Sequence, residues 1–361
     1  MRYDLAFEAE PFQGYTEFDE LEITDTEGES YWPRDWLGET SKGSPISGES
    51  FLQWPIVGKL ALRQPGGGGG GAVPAPATPP APTIRSRPCC LLAPTVPFVP
   101  NNFLDPQKLG THNGSDEAIG IIYTGKAGFV DLGHLRETCD LTKHIFDQMS
   151  VAATSAAPSS YKTIQGEATV KGALANTPLH IKVARAIAYE DAMGHEIWTY
   201  DVHTIGGHNS SFSPEDLCSN YMGTLVAELA INVVNKKAIP FETAVTDTLN
   251  SLLKSLDAQT QAESLAAFNR INNRWVKFTG LASLDDSYLR RRNFTRFPWK
   301  TGHKSDGPTP VWVTAGLGNL TGLYTYTNTL LRTFSIADYP AEVKAIKGKA
   351  KATYGENFDK P

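Results

Sequence analysis

Residues 181–201 read IKVARAIAYEDAMGHEIWTYD, and this stretch decides the fold. At 3.6 residues per turn, Ala184, Ile187, Ala188, Asp191, His195, Trp198 and Val202 share one stripe. Val183, Ala186, Glu190, Met193 and Ile197 share the next. A helix that is apolar on nearly every face belongs in the middle of a domain, not on its surface. Glu190, Asp191, His195 and Glu196 nevertheless ride on it. Ionisable groups enter such places paired, hydrogen-bonded or bound to a metal. The helix, expected from about residue 178 to residue 200, is therefore read as the carrier of a site.

Upstream, 119–123 (IGIIY) reads as a short buried strand, followed by a turn and then GFVDLGHLRETCDLTKHIFDQM at 128–149. Asp131 is placed to cap a helix whose inner face collects His134, Thr138, Leu141 and Ile145. Arg136 and Asp140, four apart, are expected to pair along its side. Residues 161–174 alternate weakly and predict one or two strands. Downstream, SSFSPEDLCSNYMGTLVAELAINVV at 210–234 carries a helix start, with Ser213 as N-cap, Pro214 in the first turn, and Glu215 and Asp216 at the positive end. Two more helices are expected at 241–256 and 259–278. A strand is expected near 311–313, then an apolar stretch at 320–331. The sum is an α+β domain, mainly helical with short strands, over 91–343, ending in a polar tail at 344–361.

Ahead of this domain the composition changes. Residues 1–63 hold 13 acidic against 5 basic residues, a net charge of −8, interleaved with aromatics such as Phe7, Tyr15, Trp32, Trp36 and Trp54. Without core periodicity, such a segment reads as disordered or as folding on a protein partner. Residues 64–90 follow as a Gly/Pro-rich linker that opens with a hexaglycine. The chain totals −6, so the body is near +2, too little for binding nucleic acid by phosphate neutralisation. The start of the chain lacks the pattern of a signal peptide, and no apolar run reads as a membrane span. These features point to a cytosolic product, with export by a dedicated secretion or injection machine left open. Cys89, Cys90, Cys139 and Cys218 form no metal-type pair, and reduced thiols are expected.

A zinc-peptidase helix needs two histidines four apart with a glutamate beside the first. His195-Glu196 is present, but residue 199 is threonine. His203 and His208 follow in the next loop, and His134 and Glu137, three apart on the earlier helix, could reach one ion. Cys139, Cys218 and Ser213 lack the neighbours of an activated nucleophile, and His144, His180 and His303 read as surface residues.

GFVDLGHLRETCDLT, AYEDAMGHEIWTY and SSFSPEDLCSNYMG, in that order, resemble the signature blocks of an uncharacterised bacterial domain-of-unknown-function family over roughly 119–300. The resemblance places a polar signature on His134, Arg136, Asp140, Glu190, His195, Glu196, Ser211, Ser213, Glu215, Asp216 and Asn220, and implies no reaction. Members of that family look exported, and Asp191 stands where an apolar residue is expected. The acidic aromatic leader is similar to those of proteins associated with bacterial contractile injection systems.

Two function classes follow. The first is a hydrolase using a divalent metal such as zinc. His134, His195 and Glu190 would be its ligands, Glu196 the base, Arg136 an anion stabiliser, and Asp140, Ser213, Asp216 and Asn220 would support the site. Its alternative is a non-enzymatic cargo or accessory protein in which the same residues form a buried hydrogen-bonded network. A metal-free acid/base enzyme built on Glu190, Glu196 and His195 is a third arrangement. His134 and His195 are expected to converge on one pocket, and no substrate is identified.

Overall fold

The computed structural model describes residues 84–85, 87, 102–152, 159–171, 179–202, 210–279, 288–317, 320, 322–329 and 333–361, with the backbone of 23–24 and 30–31. Most of the expected leader and linker lies outside the described residues, as do Cys89, Cys90, His203 and His208, while Arg87, expected in the linker, is buried against the domain. In chain order, the first pieces are the strands β1 (Ile23–Thr24) and β2 (Ser30–Tyr31), the hairpin β3 (Ile121–Thr124) and β4 (Gly128–Asp131), and α1 (Leu132–Ala152). Next come β5 (Ser159–Lys162), β6 (Gly166–Val170), α2 (His180–Val202), α3 (Asp216–Lys237), α4 (Phe241–Ser255) and α5 (Gln261–Ile271). The ribbon β7 (Val276–Lys277) and β8 (Tyr288–Leu289), then α6 (Val311–Thr314), β9 (Tyr324–Asn328), β10 (Phe334–Ser335) and α7 (Tyr339–Tyr354) complete it. The class is α+β, with helices at the centre and short antiparallel strands around them.

α3 is the axis of the domain. It is long and apolar enough to cross a membrane, yet 83% of that apolar window is buried inside the protein. α1, α2 and α4 pack around it, which makes it a core helix. Gly223 sets how closely α1 approaches: an alanine methyl there would fall against the Leu135 carbonyl oxygen and 2.9 Å from its carbon. Gly223→Ala therefore has to push α1 and α3 away from each other, and the gain of about 1 kcal/mol in helix propensity does not offset that. We expect a net loss of roughly 2–3 kcal/mol in urea unfolding; an unchanged midpoint would mean that the two helices are not in this contact.

The start of α1 follows the sequence reading. Asp131 Oδ1 accepts from the backbone N–H of Gly133 (2.6 Å) and His134 (3.2 Å), a cap worth about 1 kcal/mol. Gly128, at φ +69°, turns the hairpin where a side chain would strike the Trp299 carbonyl. The sheet runs β10-β9-β6-β5 and covers α2 together with α7.

Several expectations need correction. The helix expected over 259–278 stops at Ile271, because the Asn272 side chain accepts from the N–H of Asn273 and Phe278 (both 3.0 Å) and Asn273 turns to φ +67°. Residues 311–313 are helical rather than extended: Pro310 fixes φ at −61° ahead of a single turn that buries Trp312 and Val313. The expected tail at 344–361 continues α7, buries Ile346 and Ala350, and tucks Phe358 against Phe294 at 6.0 Å. His144, His180 and His303 are buried, not superficial.

Candidate metal centre

Three helices each deliver one ligand-bearing side chain to the same point. His134 comes from the first turn of α1, Glu196 from α2, and Asp216 opens α3. All three are buried, with one ligand atom of each within 4.8 Å of the others. His134 Nε2 lies 3.3 Å from Asp216 Oδ1, and that oxygen has no aligned hydrogen-bond donor. Zinc with bonds of about 2.0–2.2 Å sets tetrahedral ligands roughly 3.3–3.6 Å apart, so the His–Asp spacing suits a shared ion. The donor set also fits: one imidazole and two carboxylates bind borderline divalent cations.

The loop between α2 and α3 fixes this geometry. Glu196 Oε2 accepts from the backbone N–H of Phe212 at 2.7 Å, and Asp216 Oδ2 accepts from that of Ser213 at 2.7 Å. Phe212 is fully buried at φ +56°, a conformation costly for a side chain with a Cβ and kept only where the surroundings impose it. Those surroundings are Arg292, which donates to the Ser211 carbonyl, and Asn293, which donates its backbone N–H to Phe212 O (3.0 Å) and its side chain to Pro214 O (3.2 Å). The Ser213 hydroxyl does not cap the helix backbone as expected; it donates to Glu215 Oε2 at 2.6 Å.

Burial pushes the Asp216 carboxyl well above the usual range, the neighbouring Glu196 carboxylate pushes it further, and His134 only partly offsets them. Two carboxylates held together in a buried site are stabilised either by a retained proton or by a bound cation.

A pocket opens beside the group, lined among others by His134, Glu137, Gln165, Asp191, His195 and Asn220. Asn220 Oδ1 accepts from Thr138 Oγ1 (2.6 Å), while its Nδ2 is buried with no hydrogen-bond partner. His195 receives the Gln165 amide on Nδ1 at 3.0 Å, and its Nε2 lies 3.4 Å from Thr199 Oγ1.

Of the expected ligands, only His134 joins the converging group; its companions are Glu196, expected as the base, and Asp216, expected as a supporting residue. His195 stands on the pocket wall, with its Nδ1 lone pair already engaged. Glu190 is not brought in: its neighbours include Tyr324 and Tyr339, and burial lifts its carboxyl to about 7. Asp191 does not bond His195 either; it accepts from Thr163, the Gln165 N–H (3.0 Å) and Tyr326 (2.8 Å), and burial raises it to about 6. Arg136 and Asp140 do not pair and do not enter the group. Arg136 donates to the Leu109 carbonyl (2.9 Å) and meets Glu117 at 3.3 Å, while Asp140 binds His112 and Arg87. Sequence reasoning missed Gln165, Glu117 and His112, all in turns or loops with no periodicity to mark them. Cys139 and Cys218 are free and buried, their thiols pushed up by burial, Cys218 to about 12.

Residues 97–295, more than half of the chain, match the family described as Protein of unknown function (DUF4056), and the chain belongs to that family. His134, Glu196, Asp216 and the clamping pair Arg292 and Asn293 all lie inside the matched region. No match was found among curated proteins or among solved structures.

Proposed function

We propose that this protein is a metal-dependent hydrolase whose divalent cation is held by His134, Glu196 and Asp216. The observation that carries the reading is their convergence from three helices, with one ligand atom of each buried residue within 4.8 Å of the others. A bound cation supplies a Lewis acid and lowers the pKa of water toward about 7. Asn220 Nδ2, unpartnered on the pocket wall, is the donor for a developing oxyanion on substrate. His195, held by Gln165, is the proton carrier on the same wall. Glu196, anchored by the Phe212 N–H, is in this reading a ligand and not the general base.

The test is metal analysis of the purified full-length protein, followed by chelation and add-back. One zinc-class ion per chain, lost to chelator and restored with hydrolysis of an ester, amide or phosphoester substrate, is the expected result. A chain that neither carries nor takes up a divalent ion sinks the reading. The non-enzymatic alternative, cargo or accessory, rests on a different fact: both carboxylates also hold backbone N–H groups of the α2–α3 loop. On that reading metal is absent and the three residues act only on stability.

A further inference from the structure

The side chain of Arg87 is only 1% exposed, and all five of its guanidinium N–H groups are engaged. Nε and Nη2 fork onto the Glu117 carboxylate at 3.0 and 3.1 Å. Nη1 donates to Asp140 Oδ2 at 2.9 Å and to the Arg85 carbonyl at 3.2 Å. Nη2 also donates to Asn113 Oδ1 at 2.6 Å. Planar, forked, fully satisfied binding of this kind distinguishes arginine from lysine.

The receiving groups are fixed by partners other than Arg87. His112 Nε2 holds Asp140 Oδ1 at 2.7 Å, and Glu117 Oε1 accepts from the Asn113 N–H at 2.9 Å and meets Arg136 at 3.3 Å. Asp140 and Glu137 belong to α1, and Asn113 and Glu117 to the loop ahead of β3. With Arg87 withdrawn, the carboxylates of Glu117, Glu137 and Asp140 outnumber the guanidiniums of Arg136 and Arg85, the second of which is half-exposed and reaches only Glu117 Oε2, at 3.2 Å. Burial raises the Glu117 carboxyl, but the Arg87 and Asn113 hydrogen bonds and the two arginine charges bring it below the ordinary range. The backbone N–H of Arg87 donates to Glu137 Oε2 at 3.1 Å, and Glu137 also lines the pocket beside His134.

We infer that Glu117, Asp140 and Asn113 form a binding pocket for the arginine side chain of an extended polypeptide, filled here in cis by Arg87, on the rim of the candidate metal centre. The ligand class is an arginine-bearing peptide, and the chain's own segment holds its place. Binding to this pocket is measurable without turnover, so it stands or falls apart from the hydrolase reading.

The test uses full-length Arg87→Ala, with N-acetyl-arginine methylamide as probe and the lysine analogue as control. The arginine probe should bind the variant and raise its Tm, leave the wild-type protein unmoved, and bind at least about tenfold more tightly than the lysine analogue. Adding Asp140→Asn should weaken the arginine probe about tenfold again. A folded variant that ignores the probe, or a wild-type protein that responds equally, overturns the inference. If Arg87→Ala does not fold, Arg87→Lys gives the readout, since one ammonium cannot fill the fork; a Tm indifferent to the arginine probe there overturns it too.

Discussion

Asp216→Asn raises the stability of the metal-free protein at pH 8 and removes its affinity for zinc. Asparagine keeps an oxygen for the Ser213 N–H and takes away a charge that burial and Glu196 both disfavour. Because folding raises this carboxyl, its folded form holds a proton that the unfolded chain has released. Stability is therefore lost as pH rises above the ordinary carboxylate range. The variant should show a higher metal-free Tm than wild type at pH 8 and a smaller difference at pH 4. Zinc affinity should fall by more than the roughly 100-fold typical of losing a residue that only supports a ligand. Wild type should gain about 2.7 kcal/mol at zinc concentrations 100-fold over the dissociation constant, and the variant should gain nothing. Equal zinc-induced stabilisation of both proteins would remove Asp216 from the centre.

Glu190→Gln is the second large effect, and it concerns stability alone. Burial, the only cause acting on this carboxyl, lifts it from 4.5 to about 7. Folded protein keeps the proton up to about pH 7, whereas the unfolded chain releases it near 4.5. This group's contribution is thus fully present below 4.5 and lost as pH rises through 7, a change of about 3 kcal/mol. Asp191 acts in the same direction up to about 6. Glu117 and Asp140, whose carboxyls are lowered, contribute in the opposite sense at more acid pH. Urea unfolding of wild type and Glu190→Gln at pH 4.5 and pH 8.5 should show near equality at the first and a variant about 3 kcal/mol more stable at the second. Parallel pH profiles would show that Glu190 reaches water.

Much of the helical frame was legible because periodicity reports burial directly. α2 reads as apolar on nearly every face, and the structure buries Val183, Ala184, Ile187 and Ile197 along it. Asp131 announces the start of α1 by a local rule and performs as expected. Asp216 was harder to read: at a helix start an acidic residue satisfies the macrodipole, and nothing in that spacing says that His134, 82 positions earlier, will face it. Arg136 and Asp140 look like an exposed pair for a related reason. Four-residue spacing signals adjacency, but not that a loop bearing His112 and Glu117 will cover that face. The strand expected at 311–313 failed because Val-Trp-Val favours extension, while Pro310 and the burial of Trp312 favour one helical turn.

The clamp that Arg292 and Asn293 place on the α2–α3 loop bears on how the centre comes into being during synthesis. His134 leaves the ribosome long before the residues that hold Phe212 in its left-handed turn. At about 5–20 residues per second, the 159 positions from 134 to 293 take roughly 8–30 s to be made. Over that interval the imidazole and the two carboxylates have no common geometry to hold an ion. On the proposed reading, a nascent chain competes for zinc only once residue 293 has been made and the clamp has closed, and it then acquires that ability almost at once.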